Sequence, residues 1–119
     1  MSDDWGTPDW IMSLFRHFHD PCPIAGKGGL TSSWGGQFEN KVFVNPPYSN
    51  PRPWVEKAIK THRETSTTIV MLLRHDSSTQ WFRMLKEAGA RFLMIEGRLT
   101  FKGPNSKPCA FPSVLAVLS

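Results

Sequence analysis

The sequence is poor in the features that mark a metal-built, disulfide-stapled or membrane-spanning protein. Its 119 residues include only 2 cysteines, Cys22 and Cys109, and their separation matches no metal-ligand spacing. The default is a cytosolic chain with two reduced thiols and no metal, with one disulfide between them as the alternative. No apolar run approaches the roughly 20 residues that a membrane span requires. The opening MSDDWGTPDW is acidic and aromatic and does not read as a secretory signal. Internal repeats and low-complexity tracts are also missing, which excludes solenoid and repeat architectures.

What is present fits a small globular domain. Hydrophobic residues make up 39%, with 8 Phe and 5 Trp, which is enough apolar surface to exclude disorder and build a modest core. The length suits one domain spanning 1–119. The formal net charge of +4 favours phosphate-bearing partners, and equally fits a soluble protein with spare lysines.

Hydrophobic periodicity orders the chain. Thr7-Pro8-Asp9 opens a helix, with Thr7 as N-cap, and Ile11, Leu14, Phe15 and Phe18 recur on one face until Asp20-Pro21-Cys22-Pro23 ends it. Residues 24–40 are Gly- and Ser-rich loop. Val42 to Val44 reads as a short buried strand. A helix from about Pro53 to Arg63 turns Val55, Ala58, Ile59 and His62 inward. Thr67 to Leu73 is β-branched and apolar throughout, the pattern of a strand buried on both faces. Ser77 with Gln80 resembles a capping box. The helix after it carries Trp81, Met84, Leu85 and Ala88, and Gly89 stops it. Arg91 to Ile95 and Val114 to Leu118 are further strands, with Arg98 to Lys102 extending or pairing with the first of them. Trp10, Trp54 and Trp81 are expected in or near the core. This alternation predicts a parallel α/β sheet, whose ligands lie at the carboxyl ends of its strands. Asn45 and the run Arg74-His75-Asp76 fall there.

Asn45-Pro46-Pro47-Tyr48 carries the chemistry. Proline fixes its own φ and pushes the preceding residue to extended backbone, so Asn45 and Pro46 form a stiff bracket. The Asn45 amide oxygen and the Pro46 carbonyl are two acceptors suited to the two N–H groups of an exocyclic nucleobase amine. Held so, the amine keeps its lone pair available for in-line attack on a methylsulfonium; the catalytic gain is positioning and electrostatics. Tyr48 is placed to stack on a base flipped out of a helix. A strand followed by a stiff turn is the plain structural alternative.

These residues resemble a known family. The motif is shared by amino-group methyltransferases that use S-adenosylmethionine, and the wider chain is similar to the phage-type DNA adenine N-6 methyltransferases, often called Dam. The resemblance runs through Thr7-Pro8-Asp9-Trp10, Asp20-Pro21-Cys22, Val44 to Tyr48, Pro53 to Ala58, Met71-Leu72-Leu73, Trp81-Phe82, Arg91-Phe92-Leu93, Gly97 to Phe101 and Phe111-Pro112-Ser113. It implies a reduced Rossmann-like sheet with flanking helices, S-adenosylmethionine as cofactor, double-stranded DNA as substrate, and a cytoplasmic location in a bacterium or virus-infected host cell. It assigns Asn45, Pro46, Pro47 and Tyr48 to the target amine and base, and Thr7, Pro8, Asp20, Pro21 and Cys22 to the cofactor. Trp34, Arg74, Arg98, Lys102 and Lys107 are the candidate nucleic-acid contacts, each with an ordinary surface role as the alternative.

The chain also departs from the family pattern. Ile24-Ala25 separate the Asp20 turn from the glycines of Gly26-Lys27-Gly28-Gly29. Glu39 is the only acid between Asp20 and Asn45. No stretch is long enough for a separate target-recognition domain. These departures keep other readings open: an inactive nucleic-acid-binding module, a subunit of a larger methyltransferase, or the same chemistry on RNA, cytosine or a protein glutamine. A shortened sheet with an open edge also makes a homodimer an expectation.

Overall fold

The computed structural model describes residues 9–18, 41–46, 50–95 and 113–119. In chain order the elements are α1 (Asp9–Leu14), β1 (Lys41–Val44), α2 (Arg52–Thr65), β2 (Thr68–Arg74), α3 (Gln80–Glu87), β3 (Arg91–Met94) and β4 (Ser113–Leu118). The strands form one sheet in the order β1-β2-β4-β3. β1 and β2 are parallel, with Val44 opposite Met71. β4 runs antiparallel to both its neighbours, pairing Arg74 with Ser113 and Met94 with Val114.

The sheet is therefore α/β but mixed, which corrects the all-parallel expectation. Parallel neighbours need a crossover connection, usually a helix. α2 supplies one between β1 and β2, and α3 stands between β2 and β3. No helical pattern separates β3 from β4, and β4 returns antiparallel into the gap between β2 and β3. β1, β2 and β3 consequently share a direction, and their carboxyl ends define one edge of the molecule.

β2 is the centre of the fold. Ile69, Met71 and Leu73 face one side, where Val42, Val44, Val114, Ala116 and Leu118 join Trp54, Val55, Ala58, Phe82 and Leu85 of α2 and α3. Val70 and Leu72 face the other, with Phe43, Leu115 and Ile11. This double burial is what its uninterrupted apolar run requires. On the second side the Phe15 ring stacks on Phe43 at 4.9 Å, and Phe18 meets Phe15 edge-on at 5.3 Å.

The helices largely follow their sequence signals, with local exceptions. α2 has proline in its first turn and ends at Ser66, whose left-handed φ of 56° lets its N–H reach the His62 carbonyl at 2.9 Å. Gly89, at φ +86°, closes the segment after α3 as expected. α1 stops at Leu14, and the chain tightens into turns in which Phe15 and Phe18 donate to carbonyls three residues back. That shift brings Phe15 and Phe18 onto the sheet with Ile11 and leaves Leu14 63% exposed. Trp10 is 54% exposed rather than in the core, because it neighbours Ile11, which takes the buried direction. Trp54 is buried and Trp81 packs at the core margin, as expected.

Candidate active site

The site is built where β1 and β2 end. Val42, Phe43 and Val44 are fully buried, and the next two residues, Asn45 and Pro46, remain buried although the strand has stopped. Pro46 has no N–H with which to continue the ladder, so β1 ends at the proline. A polar amide is thus held among apolar side chains. A residue before proline is held to extended backbone, so the strand alternation runs one residue further and assigns Asn45 to the Phe43 side, the face on which α1 packs. By the parallel register it lies level with Leu72. Pro47 and Tyr48, the rest of the motif, lie outside the described residues.

β2 continues beyond that level to Arg74. The same alternation puts Arg74 on the α1 face with Asn45, about 7 Å further along the strand axis. His75 turns the other way, its ring stacked on Phe82 at 5.9 Å, and Phe82 in turn stacks on Phe92 at 4.4 Å. The sheet therefore divides the Arg74-His75-Asp76 run: Arg74 joins the Asn45 side, and His75 belongs to the α3 core. The helices that follow the two strands are tied at their starts. The Arg52 guanidinium donates to Gln80 Oε1 at 2.8 Å and to Glu56 Oε1 at 2.9 Å, linking the first turns of α2 and α3.

Asp76 organises the turn after β2. Its Oδ1 accepts from the Ser78 hydroxyl and from the Ser78 amide, the latter at 3.1 Å, and its carbonyl accepts from the Thr79 hydroxyl at 2.8 Å. This Asx-turn replaces the expected Ser77–Gln80 capping box. α3 starts at Gln80, so Ser77 lies too far ahead to cap it, and Thr79 occupies the N-cap position without a side-chain cap bond. Arg74 approaches Asp76 at 3.5 Å.

The Ser78 hydroxyl bond chiefly, then the Ser78 amide, hold the Asp76 carboxyl below its ordinary value of 3.8; burial opposes them slightly, and Arg74 and His75 assist. A depressed folded-state pKa stabilises above the unfolded value and loses that contribution as pH falls through the folded one. The stability gap between wild type and Asp76→Ala should then hold steady near neutrality and narrow only below pH 3.8. Urea unfolding at a series of acidic pH values measures it; a gap that widens in acid would contradict the turn's assignment.

Of the sequence-designated site residues, the structure brings together Asn45, Pro46 and Arg74. Thr7, Pro8, Asp20, Pro21, Cys22, Trp34, Arg98, Lys102 and Lys107 lie outside the described residues. Ser113 was missed. Its hydroxyl is 1% exposed at the start of β4, beside Arg74, and makes no hydrogen bond. A serine heading an otherwise apolar strand, Ser113-Val114-Leu115-Ala116-Val117-Leu118, was the available signal. Among the described residues no three His, Cys, Asp or Glu side chains group to hold a metal, and no helix is long and apolar enough to cross a membrane.

A buried, proline-followed amide thus stands at the carboxyl end of a parallel strand. Residues 25–111 match the family DNA N-6-adenine-methyltransferase (Dam). The chain belongs to the Dam family. It is 33% identical over 99 residues to the DNA N-6-adenine-methyltransferase of Haemophilus phage HP1 (strain HP1c1), across 69% of this chain and 56% of that protein. It is 42% identical over 67 residues to the DNA N-6-adenine-methyltransferase of Escherichia phage T1, across 56% of this chain and 27% of that protein. This Dam-family chain thus spans about half the length of the first relative and about a quarter of the second. No solved structure matches it. The family match covers β1 through β3 and the whole Asn-Pro-Pro-Tyr motif.

Proposed function

We propose that this chain transfers a methyl group from S-adenosylmethionine to the exocyclic amino group of adenine in DNA, on a reduced Rossmann-like sheet. The observation that carries the reading is the burial of Asn45 and Pro46 at the carboxyl end of β1, in a chain of the Dam family. The names of the two phage relatives supply the substrate, adenine in DNA.

The donor set suits an alkyl transfer that needs orientation more than acid–base strength. Asn45 supplies an amide oxygen and Pro46 a carbonyl oxygen, and neither titrates. Thr7, Pro8, Asp20, Pro21 and Cys22 would hold S-adenosylmethionine, which would supply the methyl group on a sulfonium. Asn45 and Pro46 accept the two N–H bonds of the amine and turn its lone pair toward the incoming methyl. The apolar walls of β1 and β2 exclude water, so these dipoles act in a medium of low polarizability. With S-adenosylmethionine bound, a nitrogen–carbon bond would form as the donor's carbon–sulfur bond breaks, and the amine would then give one proton to water. Tyr48 stacks on the extruded base. Arg74, on the Asn45 face and largely exposed, is the described residue placed to meet a DNA phosphate, with Trp34, Arg98, Lys102 and Lys107 as further contacts.

Incubating the chain with unmethylated duplex DNA and methyl-labelled cofactor tests the reading. Label should appear in the DNA as N-6-methyladenine on nucleoside digestion. Label in cytosine, in RNA alone or nowhere would refute the proposed substrate.

A further inference from the structure

Three buried polar side chains are found among the described residues: Asn45, Thr67 and Ser113. Thr67 bonds the Thr65 hydroxyl, and Asn45 has its own interaction. Ser113 alone has a buried side-chain oxygen with no hydrogen-bond partner. Such a group destabilises the protein that carries it, and native structures retain few of them. Its position is informative. The pairing Arg74↔Ser113 and the pattern of β4, with Leu115 and Val117 on the α1 side, put Ser113 on the face that carries Asn45. One strand, β2, separates their strands, and Ser113 lies two residues further along the strand axis, so the two positions stand about 12 Å apart on that face. Leu72, level with Asn45 and fully buried, stands between them. A purine that bonds Asn45 through its amine and displaces the cover over Leu72 would turn its far ring edge toward Ser113.

We propose that Ser113 contacts the target base, its hydroxyl donating a hydrogen bond to a ring nitrogen of the adenine whose amine Asn45 and Pro46 hold. This rests on the adenine-methylation reading above. A site built to pair with a ring nitrogen discriminates against bases that lack it, because the hydroxyl is then left unsatisfied in the complex. Adenine N3 and N7 have no counterpart in cytosine, which also carries an exocyclic amine, so a bond to either would let Ser113 help choose the base, a task the amine bracket alone leaves open.

A chemical double-mutant cycle tests it. Wild type and Ser113→Ala are assayed on duplex DNA whose target adenine is replaced in turn by 1-deaza-, 3-deaza- and 7-deazaadenine, each lacking one ring nitrogen. With natural adenine, Ser113→Ala should lose about tenfold in kcat/KM, the size of one hydrogen bond to a buried partner. One of the analogues should cost wild type about the same factor and cost Ser113→Ala nothing further. The melting temperature of the DNA-free variant should equal or exceed that of wild type, because an unsatisfied hydroxyl has been removed. Undiminished activity in Ser113→Ala would overturn the proposal. So would losses that multiply for all three analogues, or a raised KM for S-adenosylmethionine with the analogue penalties unchanged, which would make Ser113 a cofactor contact. A lowered melting temperature with full activity would mark a hydroxyl satisfied by structural water and overturn it too. If Ser113→Ala does not fold, Ser113→Cys, close in shape and a weak donor, carries the same comparison. Wild type that methylates no adenine at all removes the adenine reading, and this inference with it; active wild type with an indifferent Ser113 removes this inference alone.

Discussion

Asn45→Ala should reduce methyl incorporation into DNA by about a thousandfold, the cost of deleting one preorganised polar group aimed at a reacting centre. The effect should fall on kcat more than on KM, because the amide acts on the amine as the methyl arrives. Asn45→Asp keeps an acceptor oxygen at the same reach and should retain more activity than the alanine variant. Both proteins should stay folded. Asn45 lies at the strand end rather than in the middle of the ladder, so its loss should cost no more than about 1–2 kcal/mol of stability. The paired measurement is single-turnover methyl transfer beside a thermal unfolding curve. An alanine variant that methylates within a few fold of wild type would remove Asn45 from the mechanism.

The second large effect is on stability, two residues before Asn45. Phe43 is 1% exposed and packs among Ile11, Val70, Leu72 and Leu115, with its ring stacked on Phe15. Phe43→Ala removes the ring from water-free surroundings and leaves a cavity that a β-sheet can only partly close, together about 3–5 kcal/mol. A domain of this size has about 5–15 kcal/mol in all. The melting temperature should therefore fall by about 15 °C or more. α1 should loosen first, since Phe15 loses its stacking partner, and hydrogen exchange in residues 11–18 should rise ahead of exchange in β2. Trp10→Ala is the control: the ring is mostly exposed, and its removal should shift stability by less than about 0.5 kcal/mol. Near-equal effects of the two substitutions would refute the assigned packing of α1 on the sheet.

Much of this architecture was legible in local patterns. The unbroken apolar run from Ile69 to Leu73 can only be a strand covered on both faces, and β2 is that strand. Pro53 near the start of a helical pattern located α2 to within two residues at each end. Gly89 marked the end of α3 because a residue at φ +86° costs least without a β-carbon. Asn45 and Pro46 were legible for a comparable reason: two prolines in succession override any ladder, so a strand leading into them must end there. What failed were competitions that a local pattern cannot judge. Ser77-x-x-Gln80 has the letters of a capping box, but Asp76 captures the Ser78 amide first and delays the helix. Leu14 has the spacing of a core residue, but α1 tightens after it and Phe15 and Phe18 take the sheet.

The sequence by itself determined the bounds of α2 and β2 to within two residues, which strand is doubly buried, and that β1 ends at Asn45-Pro46. Those properties follow from φ restriction by proline and from the periods of strand and helix, which act over a few residues. Only the tertiary structure decided that β4 enters antiparallel between β2 and β3, because strand order is settled by which apolar faces can be covered together. That insertion carries Ser113 from the far end of the chain to Arg74 and onto the face of Asn45. No spacing in the sequence could bring them together, since residues 45 and 113 share no local geometry and meet only through the register of a sheet.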